Sequence, residues 1–262
     1  QVYSSAASDV YKRQGRANEW CNKLAVRIGA MPVITTATDA RGMFAVDIFA
    51  TEHNMRIVNP VMIKDISGRI LNNEPVGITG NDKYKNLLKV TEERWNGQIK
   101  YTDNSNNEYE SGVQIITGKD DKIVFKRTLK LVPQELAVGI GCKKGKSAHE
   151  IERAVKKTFD KAGLLLEAIA VVASVDRKAD EAGIIEFARK CKVPYKTYTP
   201  EYLRDVEGDF VSSAFVEEQI GVGNVCERSA GAASSGGEKL VGKTADNGVT
   251  VAIYRVAQKN KE

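Results

Sequence analysis

An α/β fold in two domains, each a small sheet flanked by helices, is what this sequence predicts. Three observations carry that prediction. Runs of helical spacing alternate with short β-rich runs along the chain, which is the pattern of α/β architecture. The length of 262 residues suits one or two domains, and 42% apolar with 28% charged residues is an ordinary globular composition. In the second half, polar residues gather where strands hand over to helices. A chain this long buries a core without disulfide or metal staples. No apolar run approaches the roughly 18 residues that a membrane span needs.

Residues 1–14 (QVYSSAASDVYKRQ) stand apart. They resemble translated sequencing-adapter sequence and lack the long apolar core of a secretory signal, so they are set aside as non-native. A genuine Ser/Ala-rich arm is the alternative. From Gly15 a helix is expected, with Trp20, Leu24 and Ile28 on one face beside Ala17 and Cys21, ending at Gly29. Pro32, Val33, Ile34 and Thr35 read as a short buried strand, and the turn at 36–39 follows. Phe44 and Ile48, with Ala45 and Phe49, predict another helix. Residues 61–71 predict a third, since Ile63, Ile66 and Ile70 are spaced three and four apart. Glu74 and Pro75 end it, and Val76, Gly77 and Ile78 form a strand. The Asn-rich stretch at 102–112 is a surface loop. Residues 113–116 and 123–125 are β-rich runs flanking Gly118, Lys119, Asp120 and Asp121, a hairpin signal. Residues 129–132 lead to Pro133, and the domain boundary is expected between Pro133 and Gln134.

The second half, 134–262, is more regular. Residues 136–140 are a buried strand and 141–146 a tight, basic turn. Ser147 with Glu150 three residues on makes a capping box. Ile151, Val155, Phe159 and Ala162 form one apolar face, and Gly163 stops the helix. A strand at 169–175 is followed by a helix carrying Ile184, Ile185, Phe187 and Ala188. Thr199 caps a helix with Pro200 in its first turn. Asn224, after Gly221 and Gly223, caps another in which Glu227 comes three residues later. A strand at 249–256 closes the domain.

Charge and cysteine content exclude several classes. Thirty-nine basic against 34 acidic residues give +5, dispersed rather than clustered, so neither nucleic acid nor membrane is an expected partner. A modest positive field suits a small anionic ligand. Cys21, Cys142, Cys191 and Cys226 contain no C-x-x-C pair, which argues against zinc and against a disulfide framework. Reduced thiols in the cytoplasm are the simplest reading. Two histidines, His53 and His149, leave little for a metal site or a triad, and neither is given a role.

Ligands of open α/β sheets bind beyond the carboxyl ends of strands, at helix amino termini. Three segments qualify. Gly139, Gly141, Cys142, Lys143, Lys144 and Gly145 offer glycines for close backbone approach and lysines for carboxylates, but not the spacing of a dinucleotide or ATP loop. Residues 176–181 place Asp176, Asp180 and Glu181 beside Lys178. There a carboxylate could serve as general base and the lysine polarise a carbonyl, although acidic residues also suit a helix start. Residues 221–228 present Gly223, Asn224, Cys226 and Glu227, where capping explains Asn224 and Glu227 without catalysis. Cys226 has no histidine to activate it and reads as a buried structural thiol. Lys243 and Thr244, before the last strand, are a further candidate, with a hairpin turn as the plain alternative. In the first half, Thr38 or Asp39 could simply cap a helix.

Specific strings now resemble one family. Gly15 to Glu19, the run from Pro32 to Asp39, Val138 to Cys142, Lys178 to Glu181, Gly221 to Arg228 and Lys243-Thr244 occur in the order seen in the cobalt-precorrin-5A hydrolase family (CbiG) of anaerobic cobalamin biosynthesis. Arg16 departs from the family's paired glycines. The resemblance implies that residues 15–133 hold the end of a missing amino-terminal domain plus a middle region. It also implies a hydrolase that opens the ring-A δ-lactone of an anionic cobalt tetrapyrrole and expels acetaldehyde, giving cobalt-precorrin-5B. The cobalt is then part of the substrate, and no protein-held cofactor or metal is expected. On that reading Asp176 or Glu227 orients a water and Lys178 assists the carbonyl. Gly139, Gly141, Cys142, Lys143, Lys144, Asp180, Gly223, Asn224, Lys243 and Thr244 hold the substrate. The alternatives are a non-catalytic tetrapyrrole-binding module and, from the residues alone, a nucleotide-binding transferase using the Gly139 turn.

Overall fold

A computed structural model describes residues 42–103, 108–208, 210 and 223–257. The helix expected at 15–29, the strand at 32–35, the turn at 36–39 and Gly221 lie outside them. Both sheets described below belong to the unit Val46–Glu262.

The first sheet is built from β1 (Met55–Ile57), β2 (Gly77–Thr79), β3 (Lys100–Tyr101), β4 (Ser111–Ile115) and β5 (Arg127–Pro133), in the order β1-β5-β4-β2-β3. Only the β1–β5 pair is antiparallel. Helix α1 (Val46–Glu52) precedes β1, α2 (Ile63–Leu71) follows a 3-10 turn at Pro60–Met62, and α3 (Lys85–Arg94) leads to β3. Ile66 and Ile70 of α2 are buried, as their spacing requires. The expected helix at 61–71 is thus a turn plus a helix, because Pro60 starts a tighter 3-10 turn before the α-helical bonds begin.

The hairpin expected from 113–116 and 123–125 does not form. β4 runs parallel to β5, with Ser111 opposite Arg127 and Ile115 opposite Leu131, and residues 123–125 belong to no strand. Two packing features explain the change. The Phe125 ring lies on Gly112 and Gly77, where a Cβ would sit 2.4 and 2.6 Å from ring atoms, so the apolar run 123–125 covers the sheet instead of joining it. The Gln114 amide replaces the missing strand, donating to the Lys122 carbonyl at 2.7 Å and accepting from Val124 N–H at 3.1 Å. Asp121 accepts from the Thr117 and Gly118 amides and shapes the turn.

Only Gln134 and Glu135 separate β5 from β6 (Leu136–Cys142). The second sheet adds β7 (Ile169–Val175), β8 (Tyr195–Tyr198), β9 (Lys239–Asp246) and β10 (Val249–Arg255), in the order β8-β7-β6-β10-β9. β6, β7 and β8 are parallel, whereas β10 runs against both β6 and β9. Cys142 pairs with Val249, so the carboxyl ends of the parallel strands share an edge with the β9–β10 turn.

Alternation along these strands sorts two faces. Val138, Ile140, Val172, Val251 and Ile253 meet Ile151, Val155 and Phe159 of α4 (Ala148–Lys161) and Ile184, Phe187 and Ala188 of α5 (Ala182–Cys191). Ala137, Ala173, Ala252 and Tyr254 meet Cys226, Ala230 and Ala233 of α7 (Val225–Ser234). Small residues on this second face let α7 approach closely. The short α6 (Pro200–Arg204) is capped by Thr199, whose side chain accepts from Tyr202 N–H.

The expected capping box at α4 is present in both directions: Ser147 Oγ accepts from Glu150 N–H, and Glu150 accepts from Ser147 N–H. Hydrogen bonds from the Lys146 ammonium and from the Ser147 amide and hydroxyl hold the Glu150 carboxyl down at about 2. Titration by NMR is expected to find the Glu150 carboxyl at about 2. Ser147→Ala should raise its value toward the ordinary one; an unchanged titration in that variant would rule the cap out as a cause. Among the described residues no helix is long and apolar enough to cross a membrane.

Candidate functional site

Helix α7 runs against the parallel strands. Its last turn lies near the start of β6, since Ala257 N–H bonds Ser234 O and Val256 N–H bonds Glu135 O. Its first turn lies at the carboxyl ends of β6 and β7, where Val225 packs with Val175 and Leu203. Three of the segments singled out in the sequence therefore meet at one end of the second sheet: the turn after β6, the turn after β7 and the start of α7.

The first two segments are tied to each other. Glu181 accepts from Gly145 N–H at 2.8 Å and from the Lys178 ammonium at 2.9 Å. Burial works to raise the Glu181 carboxyl, but these two donors outweigh it and leave it below the usual value. The Lys178 carbonyl accepts from the Tyr195 hydroxyl at 2.8 Å, and burial pushes that phenol up to about 12. Cys142 is half-buried beside Lys178, and burial raises its thiol. Asp176 opens a 3-10 turn, Asp176–Lys178, and is exposed, as are Asp180, Lys143 and Lys144. Lys143 is held through its backbone N–H on Gly248 O. Gly141 pairs with Thr250, whose hydroxyl donates to the Gly141 carbonyl at 3.2 Å.

Asn224 caps α7 from a left-handed conformation, φ 59° and ψ 59°, which asparagine tolerates better than most residues. Its Oδ1 accepts from Glu227 N–H at 3.3 Å and from the Cys226 thiol at 3.4 Å. The side chain is buried, and Nδ2 has no hydrogen-bond partner. Gly223, just before it, is also buried.

Glu227 is only 3% exposed. One oxygen accepts from the Lys243 backbone N–H and the other pairs with the Lys239 ammonium at 3.3 Å. Burial pushes its carboxyl up. The Lys243 amide, the nearby Asn224 amide and Lys239 more than offset that and leave it below the ordinary range. Burial pushes the Cys226 thiol up to about 11, which makes it inert at neutral pH.

Lys243 and Thr244 lie within β9, not in a turn; the turn falls at Asn247 and Gly248. The Lys243 amide joins Glu227, but the Thr244 hydroxyl meets Thr158 of α4 at 2.8 Å on the opposite face. It lines a cavity of about 30 Å³ with Lys157 and Asp246, on the α4 face of the sheet. Gly139 is likewise a packing residue, because the Cys226 carbonyl of α7 occupies the place of a side chain.

Reading the sequence missed Arg228. Its guanidinium donates to the carbonyls of Leu203, Arg204 and Val206 and, through Nε, to Gly223 O, so it ties the end of α6 to the start of α7. The available signal was a cation in a helix's first turn, where the dipole disfavours it. Lys239 and Tyr195 were missed as well, because both lie in strands that carry little apolar patterning. Among the described residues no group of three or more His, Cys, Asp or Glu side chains is placed to hold a metal ion.

A helix start, backbone amides and lysines gather at one end of the second sheet of this α/β protein, where ligands of open α/β sheets bind. The chain belongs to the cobalamin biosynthesis G family (CbiG). The family model described as the cobalamin biosynthesis central region matches residues 44–175, and that described as the cobalamin synthesis G C-terminus matches residues 136–254. A cobalt-precorrin-5A hydrolase of Salmonella typhimurium is 31% identical over 242 residues, covering 91% of this chain and 68% of the relative. One from Priestia megaterium is 25% identical over 199 residues, covering 73% and 53%. The chain therefore spans about two thirds of the first relative and about half of the second. The solved structure of CobE, a protein from the cobalamin biosynthetic pathway, shares 29% identity over 49% of this chain and 94% of its own, with a TM-score of 0.45.

Proposed function

We propose that this chain carries the middle and carboxy-terminal parts of a cobalt-precorrin-5A hydrolase of cobalamin biosynthesis. Water adds to the lactone carbonyl and the acyl C–O bond breaks, leaving a carboxylate and a hydroxyl. The hydroxyl then loses its proton as the neighbouring C–C bond breaks, and acetaldehyde departs. The bonding pair stays on the macrocycle carbon, which takes up a proton. The cobalt belongs to the substrate, and the partner is that anionic tetrapyrrole.

The observation that carries this reading is the meeting of the Gly141, Asp176 and Asn224 segments at one sheet end, in a chain whose relatives bear this name. Asp176, exposed at the end of β7, is the carboxylate available to orient water. Lys178 supplies positive charge to the carbonyl oxygen as it becomes an oxyanion. Glu227, with both oxygens engaged and its basicity reduced, anchors β9 to α7. Lys143, Lys144 and the α7 start receive substrate carboxylates.

Acetaldehyde released from cobalt-precorrin-5A, followed by coupled oxidation of NADH with alcohol dehydrogenase, tests the proposal. Asp176→Asn is expected to slow release roughly 10²–10⁴-fold. Full activity in that variant removes Asp176 from the mechanism. Tetrapyrrole binding with no acetaldehyde from the unaltered chain would make it a binding module.

A further inference from the structure

Asn224 carries a buried amide donor that lies beside the Glu227 carboxylate but makes no hydrogen bond of good geometry within the protein. Its orientation is determined, because Oδ1 accepts from two groups of its own helix, the Glu227 amide and the Cys226 thiol. Flipping the amide would set Nδ2 against the Glu227 N–H. Nδ2 is buried and without a hydrogen-bond partner, although it lies close enough to the Glu227 carboxylate to favour its charge. A buried amide in that state costs stability unless something outside the chain completes it. Its place is the start of a ten-residue helix at the carboxyl ends of β6 and β7. There the first-turn N–H groups, short of intrahelical acceptors, and the helix dipole favour a negative oxygen.

We infer that Asn224 Nδ2, with the first-turn amides of α7, is a subsite for one carboxylate oxygen of the ligand. The inference rests on the tetrapyrrole reading and specifies how one acidic side chain of that macrocycle is held. Glu227 does not oppose it: its charge is compensated by Lys239 and the Lys243 amide on the β9 side. Asn224 is here a binding residue with no part in bond breaking.

The test uses uroporphyrin III, an octacarboxylate tetrapyrrole that cannot turn over, titrated into the whole chain and followed by porphyrin fluorescence. Asn224→Gly removes the amide, is at ease in the left-handed conformation and weakens the cap only slightly. Asn224→Ser keeps a capping oxygen and removes the amide as well. Both are expected to weaken binding about tenfold or more, with unchanged circular dichroism. If Asn224→Gly does not fold, Asn224→Ser carries the measurement. Wild-type affinity in a folded variant overturns the subsite, as does failure of the unaltered chain to bind uroporphyrin III. Absence of acetaldehyde from cobalt-precorrin-5A sinks the hydrolase reading separately, since carboxylate capture requires no turnover.

Discussion

Replacing Gly139 with alanine is expected to destabilise the second sheet strongly. A Cβ at this position would stand 1.8 Å from the Cys226 carbonyl oxygen and 2.8 Å from the Ala230 nitrogen. Both are backbone atoms of α7, so no side-chain rotation relieves the clash. The helix would have to retreat from β6, opening the contacts of Ala230 and Cys226, which are 0% and 1% exposed. Overpacking costs typically 1–3 kcal/mol where side chains can adjust, and here the cost should be about 3 kcal/mol or more. Thermal melting should fall by roughly 10 °C for a chain of this size. Gly68→Ala is the control. It lies within α2 with nothing inside 4 Å of the added carbon, and should gain about 0.5–1 kcal/mol from helix propensity. Equal melting of the two variants would contradict the close approach of α7. Because α7 carries Asn224, its displacement should also abolish tetrapyrrole binding.

Glu227→Gln is expected to cost about 2 kcal/mol near neutral pH, the scale of hydrogen bonds to a charged group, and to change the acid limb of stability. In the wild type the folded-state carboxyl sits below its ordinary value, for which 4.5 is the reference. Between that value and the lower folded one, the unfolded chain binds the proton more readily. The stability this carboxylate confers is therefore complete above about pH 4.5 and drains away as the pH falls through the folded value. The glutamine variant lacks this pH-dependent contribution. Urea unfolding at a series of pH values should show the two proteins furthest apart at pH 6–7 and converging in acid. Parallel curves at all pH values would show that Glu227 contributes through shape alone. Because Gln keeps a carbonyl oxygen for the Lys243 amide, the loss isolates the charge and its pairing with Lys239.

Much of the second sheet was legible because its signals are local. The run 136–140, the Ser147–Glu150 box and the Asn224 cap each depend on residues within one turn of each other, and each appears as read. The first sheet was less legible. α3 buries only Leu88 and Thr91 and shows almost no apolar face, so its helix depends on its neighbours. The run 123–125 has strand-like residues, but whether it pairs or covers depends on Gly77, far away in sequence. The site divides the same way. Placing Asp176, Asn224 and the lysines at strand ends and helix starts needed only the local pattern. That Glu227 is spent on β9, that Thr244 faces α4, and that Arg228 ties α6 to α7 needed the register of distant strands.

Taken alone, the amino-acid order settled where three helices of the second half begin, at the Ser147, Thr199 and Asn224 caps, where the first of them stops, at Gly163, and the α/β class. Those outcomes follow from side-chain periodicity and from capping groups that act over three or four residues. Tertiary structure alone decided which polar groups find partners. A carboxylate such as Glu227 or an amide such as Asn224 looks the same in sequence whether satisfied or not. Only long-range packing brings the Lys243 amide to the one and leaves the other without an acceptor.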